Sequence, residues 1–201
     1  MKLCIVFFLL IPFLPANASL TISETVKTHN VEFIPHTKSG RFGSYLAMNI
    51  YYPAVKQLFL DLQKLTPKEL KNRGEAHITT VTPVEYFNVL KEKISIKEIN
   101  EIAHQRNIQH SDFKILCVGK FSKELNTDKD ETFYIVVDSK NLKEIRKEIW
   151  QLFVLRGGDK NAFNYEKFYP HITLGFNKRD LHESDGAIKD ANSCVYDLEV
   201  N

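Results

Sequence analysis

The sequence predicts an α+β fold in which helices back one face of antiparallel sheet, and three patterns carry that expectation. Stretches such as Ser44–Tyr52 alternate apolar and polar residues, the signature of a half-buried strand. Others, such as the run Val55, Leu58, Phe59, Leu62 and Leu65, repeat apolar residues at helical spacing. Each half of the chain also holds strands, long helices and one copy of the tripeptide His-Ile-Thr, with no Pro/Gly/Ser linker and no short-period repeat between them.

Residues 1–18 read as a signal peptide. Lys2 supplies the charge, Leu3–Leu14 the apolar run, and Ala16-Asn17-Ala18 a cleavage site before Ser19. The run is shorter than the roughly 20 apolar residues a membrane span needs, so no stable membrane insertion is expected. Cys4 stands too early in it to be a lipid-anchor cysteine. The expected product is exported, either secreted or delivered to a periplasm or lumen, with residues 19–201 forming one domain.

Ser19–Gly43 has no sustained period and reads as a leader strand and loop, with Lys38 and Arg41 as solvated charges. In Ser44–Tyr52, Leu46, Met48 and Ile50 face one way and Tyr45, Ala47, Asn49 and Tyr51 the other. Pro53 suits the first turn of the helix that follows. Thr66-Pro67-Lys68-Glu69 has the capping-box pattern and predicts a short second helix ending at Gly74. After the strand Glu75–Val81, Thr82-Pro83-Val84-Glu85 and Ser95-Ile96-Lys97-Glu98 cap helices reaching about Lys91 and Arg106.

Phe113–Gly119 and Thr132–Asp138 are the next strands, joined by a polar loop, Ser122–Glu131. Ser139 caps a helix with Leu142, Ile145, Ile149, Leu152 and Phe153 on its core face and Trp150 at its edge, ended by Gly157-Gly158. The polar loop Asp159–Lys167 leads into the strand Phe168–Phe176, and Cys194–Val200 closes the chain as a strand.

A composition of 43% hydrophobic and 26% charged residues is that of an ordinary globular protein. The net charge of +2 comes from scattered cations, which excludes a basic stripe for tracking a long duplex. A small phosphoester or the end of an oligonucleotide suits such a surface better, and the chain is expected to act as a monomer. After export, Cys117 and Cys194 remain, to be paired as one disulfide or kept as two buried thiols. No zinc-site spacing is present, and most of His29, His36, His104, His110 and His182 read as surface or loop residues. Neither a metal nor another cofactor is expected.

The two His-Ile-Thr copies begin about ninety residues apart, at His77 and His171. On a strand, His77 and Thr79 share one face, as do His171 and Thr173, so each strand offers an imidazole and a hydroxyl roughly 6.5–7 Å apart. Tyr169, two residues before His171, shares its face if the strand runs through Pro170, and Tyr45 and Asn49 are further candidates for a base-stacking or hydrogen-bonding wall.

His77-Ile78-Thr79-Thr80 and His171-Ile172-Thr173-Leu174 resemble the paired H-x-T-x signature of the 2H phosphoesterases, which include the RNA 2′,3′-cyclic phosphodiesterases once called 2′-5′ RNA ligases. Thr80 departs mildly from the apolar residue wanted there, and its hydroxyl is expected to be satisfied locally. The run Arg179-Asp180-Leu181-His182, with Asp185-Gly186 and Lys189, is similar to the subgroup nicknamed Swiss Army Knife. The resemblance implies two pseudo-symmetric lobes of antiparallel sheet facing each other across a central groove that carries both H-x-T strands.

It also implies a metal-independent phosphodiesterase in which His77 and His171 act as acid and base and Thr79 and Thr173 hold the non-bridging oxygens. Tyr169 and Tyr45 are then the substrate-binding candidates. The implied substrate is a nucleotide or RNA-end phosphodiester, a 2′,3′-cyclic phosphate or a 2′-5′ linkage. The alternative is a non-catalytic module that binds a nucleotide or RNA end on the same fold.

Overall fold

The computed structural model describes residues 19–40, 42–125 and 128–201; the expected signal peptide and Arg41 lie outside the described residues. The strands are β1 (Leu20–Ile22), β2 (His36–Thr37), β3 (Ser44–Asn49), β4 (His77–Val81), β5 (Lys114–Leu125), β6 (Asp128–Asp138), β7 (His171–Phe176), β8 (Cys194–Tyr196) and β9 (Leu198–Val200). The helices are α1 (Tyr52–Leu65), α2 (Pro83–Asn88), α3 (Ile96–Gln105) and α4 (Lys140–Leu155).

Seven strands form one antiparallel sheet in the order β2-β3-β4-β7-β6-β5-β8, while β1 and β9 pair in parallel. The expected α+β architecture is therefore the one adopted. Its two halves, β2-β3-β4 and β7-β6-β5-β8, meet edge to edge where β4 pairs with β7. The two motif strands are thus neighbours in one continuous sheet rather than opposite walls.

The other face is apolar. Leu46, Met48, Ile78, Ile135, Ile172 and Leu174 pack there with Leu58 and Leu62 of α1, Ile99 of α3 and Ile145 and Ile149 of α4 in one buried cluster. The predicted caps hold: Thr82 and Ser95 each close a capping box with Glu85 and Glu98, and the Ser139 hydroxyl accepts from Leu142 N–H.

Three expectations change. Thr66 ends α1 instead of opening a helix, because its hydroxyl turns back to the Leu62 and Gln63 carbonyls. The Gln63 side chain then takes Leu70 N–H at 2.7 Å, and Lys71 exchanges backbone hydrogen bonds with Phe176 at 2.7 and 3.0 Å. The polar stretch Ser122–Glu131 belongs largely to a long β5–β6 hairpin, since its charges face their opposites across the strands, Lys123 to Asp130 and Glu124 to Lys129. The closing strand is broken between Tyr196 and Leu198, so β8 pairs with β5 and β9 crosses to β1.

Cys117 and Cys194 are disulfide-bonded, with Cα atoms 5.7 Å apart and 77 residues between them in sequence. The bridge ties β8 to β5 on the open face of the sheet, where Cys117 clusters with Tyr134 and Val136. It anchors the segment Asn177–Ser193, which crosses that face and is held to β6 by Leu181 N–H donating to Thr132 Oγ1 at 2.9 Å.

A buried arginine fastens the halves together. Arg146 on α4 is 1% exposed, and its guanidinium meets both carboxylate oxygens of Glu85 at 2.8 and 3.2 Å. It also donates to the carbonyls of Thr80, Asn164, Tyr165 and Lys167 and lies between the rings of Phe163 and Phe168. Removing one partner of a buried pair strands the other, so Arg146→Ala should cost about 3–5 kcal/mol in denaturant unfolding. Arg146→Lys should recover little, because an ammonium cannot reproduce the planar fork. Reduction of the disulfide should lower stability by about 2–4 kcal/mol in the same assay.

Candidate active site

Pairing of β4 with β7 through Ile78 and Ile172 sets the site. Both isoleucines point into the core and are 0% exposed, so their neighbours point the other way. Extending that antiparallel register by one residue in each direction sets His77 opposite Thr173 and Thr79 opposite His171. The four side chains of the two motifs make one patch with local two-fold symmetry. The histidines sit on its diagonal, where residues are about 7–8 Å apart, a span that accommodates one phosphate group.

The two halves of the patch have different surroundings. His171 Nδ1 lies 2.8 Å from the Tyr169 carbonyl, which accepts an N–H and fixes the tautomer with a lone pair at Nε2. Lys189 Nζ stands 3.1 Å from that Nε2 and 3.3 Å from Asp180 Oδ1. Asp180 also accepts from Arg73 at 2.8 Å and from the Thr173 hydroxyl at 3.3 Å. Tyr134, paired with Thr173 on β6, sets its ring edge-on to His171 at 5.7 Å and beneath the lysine at 5.0 Å.

Burial, and then the Lys189 charge, hold the His171 imidazole well below its ordinary 6.5, so it is neutral. Burial lowers Lys189 as well, against the pull of Asp180. Burial alone would raise Asp180, but the charges of Lys189, His182 and Arg73 outweigh it and hold the carboxyl low.

Around His77 the company is anionic and aromatic. Its Nδ1 is 3.4 Å from Glu75 Oε1, a contact long for a hydrogen bond but close for an ion pair. Contact with His77 is the main reason that the Glu75 carboxyl is held low. Tyr45 lies 5.8 Å from the His77 ring and stacks on His36 at 4.0 Å, nearly parallel. Burial, followed by the nearness of His77, pushes His36 down. Asn49 pairs with His77 across β3 and β4, and its side-chain amide donates to the Glu32 carbonyl at 3.0 Å.

His77, Thr79, His171, Thr173 and Tyr45 are thus gathered as the sequence suggested. For Tyr169 the expected strand does not extend so far: β7 begins at His171, beyond Pro170, and the contact Tyr169 makes with the site is through its carbonyl. Arg179 turns away to Asp185, at 2.6 and 2.8 Å. The Thr80 hydroxyl, expected to be satisfied locally, is buried without a hydrogen-bond partner, although the Thr80 carbonyl is taken by Arg146.

Sequence reasoning missed Arg73, Glu75, Tyr134 and the role of His36. Glu75 carried a signal, since it shares the strand parity of His77 and Thr79. Asp180 and Lys189 stood in a recognised run but had no role. Among the described residues, no three His, Cys, Asp or Glu side chains converge as metal ligands.

A model of the Swiss Army Knife 2H phosphoesterase domain matches residues 44–182, well over half of the chain. Neither a curated protein nor a solved structure matches it. Both H-x-T strands and Asp180 fall inside the matched residues, and the chain belongs to the Swiss Army Knife family of 2H phosphoesterase domains.

Proposed function

We infer from the family that the chain performs phosphodiesterase-type chemistry. We propose that the chain hydrolyses a nucleotide or RNA-end phosphodiester, a 2′,3′-cyclic phosphate or a 2′-5′ linkage, with two histidines and no metal. The observation that carries this reading is the pair of imidazoles on one diagonal in unlike surroundings, one neutral beside a cation and one beside a carboxylate.

His171, neutral and with its lone pair at Nε2, acts as base. It takes a proton from water as the water oxygen bonds to phosphorus. His77, beside the ionised Glu75, delivers a proton to the ribose oxygen as the phosphorus–oxygen bond to it breaks. Thr79 and Thr173 donate to the non-bridging oxygens, Thr173 by turning its hydroxyl from Asp180. A base stacks on the Tyr45–His36 pair beside His77. The protein works after export, and the Cys117–Cys194 bridge, a bond that persists in oxidising compartments, supports this part of the reading.

kcat/KM on a 2′,3′-cyclic phosphate should be bell-shaped in pH. Because His171 is depressed and must be neutral, the acidic limb should fall below 6.5, the ordinary value for imidazole. His77→Ala and His171→Ala should each lower the rate by about 10²–10⁴-fold, whereas Thr79→Val and Thr173→Val should lower it without moving either limb. A strong chelator should leave the rate unchanged. Tight nucleotide binding with no turnover of any cyclic phosphate or 2′-5′ linkage would favour the binding module instead.

A further inference from the structure

The family match ends at residue 182, and Lys189 enters the site from beyond it. This lysine is 3% exposed, its ammonium shared between Asp180 and His171 Nε2. With His171 Nδ1–H committed to the Tyr169 carbonyl, Nε2 is the one atom through which the ring can accept a proton. In the free protein the base is therefore capped by a cation.

The surroundings favour a cap that can move. Asp180 can keep one ammonium proton as a pivot while the others change partner, since a lysine carries three donors on a flexible stem. The Tyr134 ring under the ammonium owes its room to Gly119, where a Cβ would stand 2.5 Å from Tyr134 Cε2. On this side of the site, Arg73 and Lys189 both contact the carboxylate of Asp180, at 2.8 and 3.3 Å, so two cations share one nearest carboxylate, a setting that suits a phosphodiester anion.

We propose that Lys189 is a third catalytic group. In the free protein its ammonium caps Nε2 of His171; when a phosphodiester binds, the ammonium turns onto a non-bridging phosphoryl oxygen and leaves the Nε2 lone pair to the attacking water. The inference rests on the phosphodiesterase reading and adds the means by which substrate uncovers the base.

The test is ¹⁵N NMR of the histidine rings and lysine ammonium groups of the protein, with inorganic phosphate as probe. In the wild type, phosphate should shift both His171 Nε2 and Lys189 Nζ while the ring stays neutral. Lys189→Met should raise the His171 titration midpoint by about one pH unit or more. It should also weaken phosphate binding at least tenfold and move the acidic limb of kcat/KM to higher pH, while Lys189→Arg should keep the midpoint low.

A His171 Nε2 signal that ignores saturating phosphate in the wild type overturns the proposal, and this decides the matter even if Lys189→Met does not fold. Unchanged titration and phosphate binding in a folded Lys189→Met protein overturn it equally. Because these readouts need no turnover, they remain decisive if no phosphodiester is hydrolysed. Conversely, activity together with an unresponsive Nε2 keeps the two-histidine reading and removes Lys189 from it.

Discussion

The register between β4 and β7 is the constraint on which the rest of the site depends. Side chains alternate along a strand, so a slip of one residue in either strand would turn that strand's histidine and threonine into the core and bring its isoleucine out to water. Burial of those two isoleucines beneath α1, α3 and α4 opposes such a slip. The arrangement of the four motif side chains is thus fixed from the apolar face, by residues on the opposite side of the sheet.

A second device acts on the orientation of His171. The loop before β7 lacks regular structure, yet it must present the Tyr169 carbonyl to the ring. Arg146 gathers the Asn164, Tyr165 and Lys167 carbonyls of that loop and is itself fixed by Glu85, which also closes the capping box of α2. A buried guanidinium offers five N–H donors in a rigid fork, which suits several carbonyls and one carboxylate at once. The tautomer of a histidine on β7 is in this way tied to a side chain of α4.

What could be read from the sequence was what depends on local pattern. The motif strands, the capping boxes at Thr82 and Ser95, the α4 cap at Ser139 and the cysteine pair all follow from near neighbours or from counting. The short helix after Thr66 failed because a capping box is a local preference, and Gln63 and the Lys71–Phe176 exchange offered the same backbone groups better partners. The Ser122–Glu131 stretch looked like a loop because its charges only make sense once placed opposite one another. Arg146, Arg73, Asp180 and Lys189 were illegible for a related reason: a charged residue in a sequence reads as solvent-facing until its partners are known, and theirs come from distant segments.

The duplicated strand supplies two equivalent positions, but acid–base chemistry needs unequal ones, since a proton must be taken at one and given at the other. The inequality comes from elements outside the repeat. The segment after β7, pinned by the disulfide and by Leu181 to Thr132, brings a carboxylate and an ammonium to His171. The turn before β4 and the β2–β3 edge bring Glu75, Tyr45 and His36 to His77. The symmetric core thus sets where the two imidazoles stand, and the asymmetric additions make their surroundings unlike, which is the inequality the proposed proton transfers require.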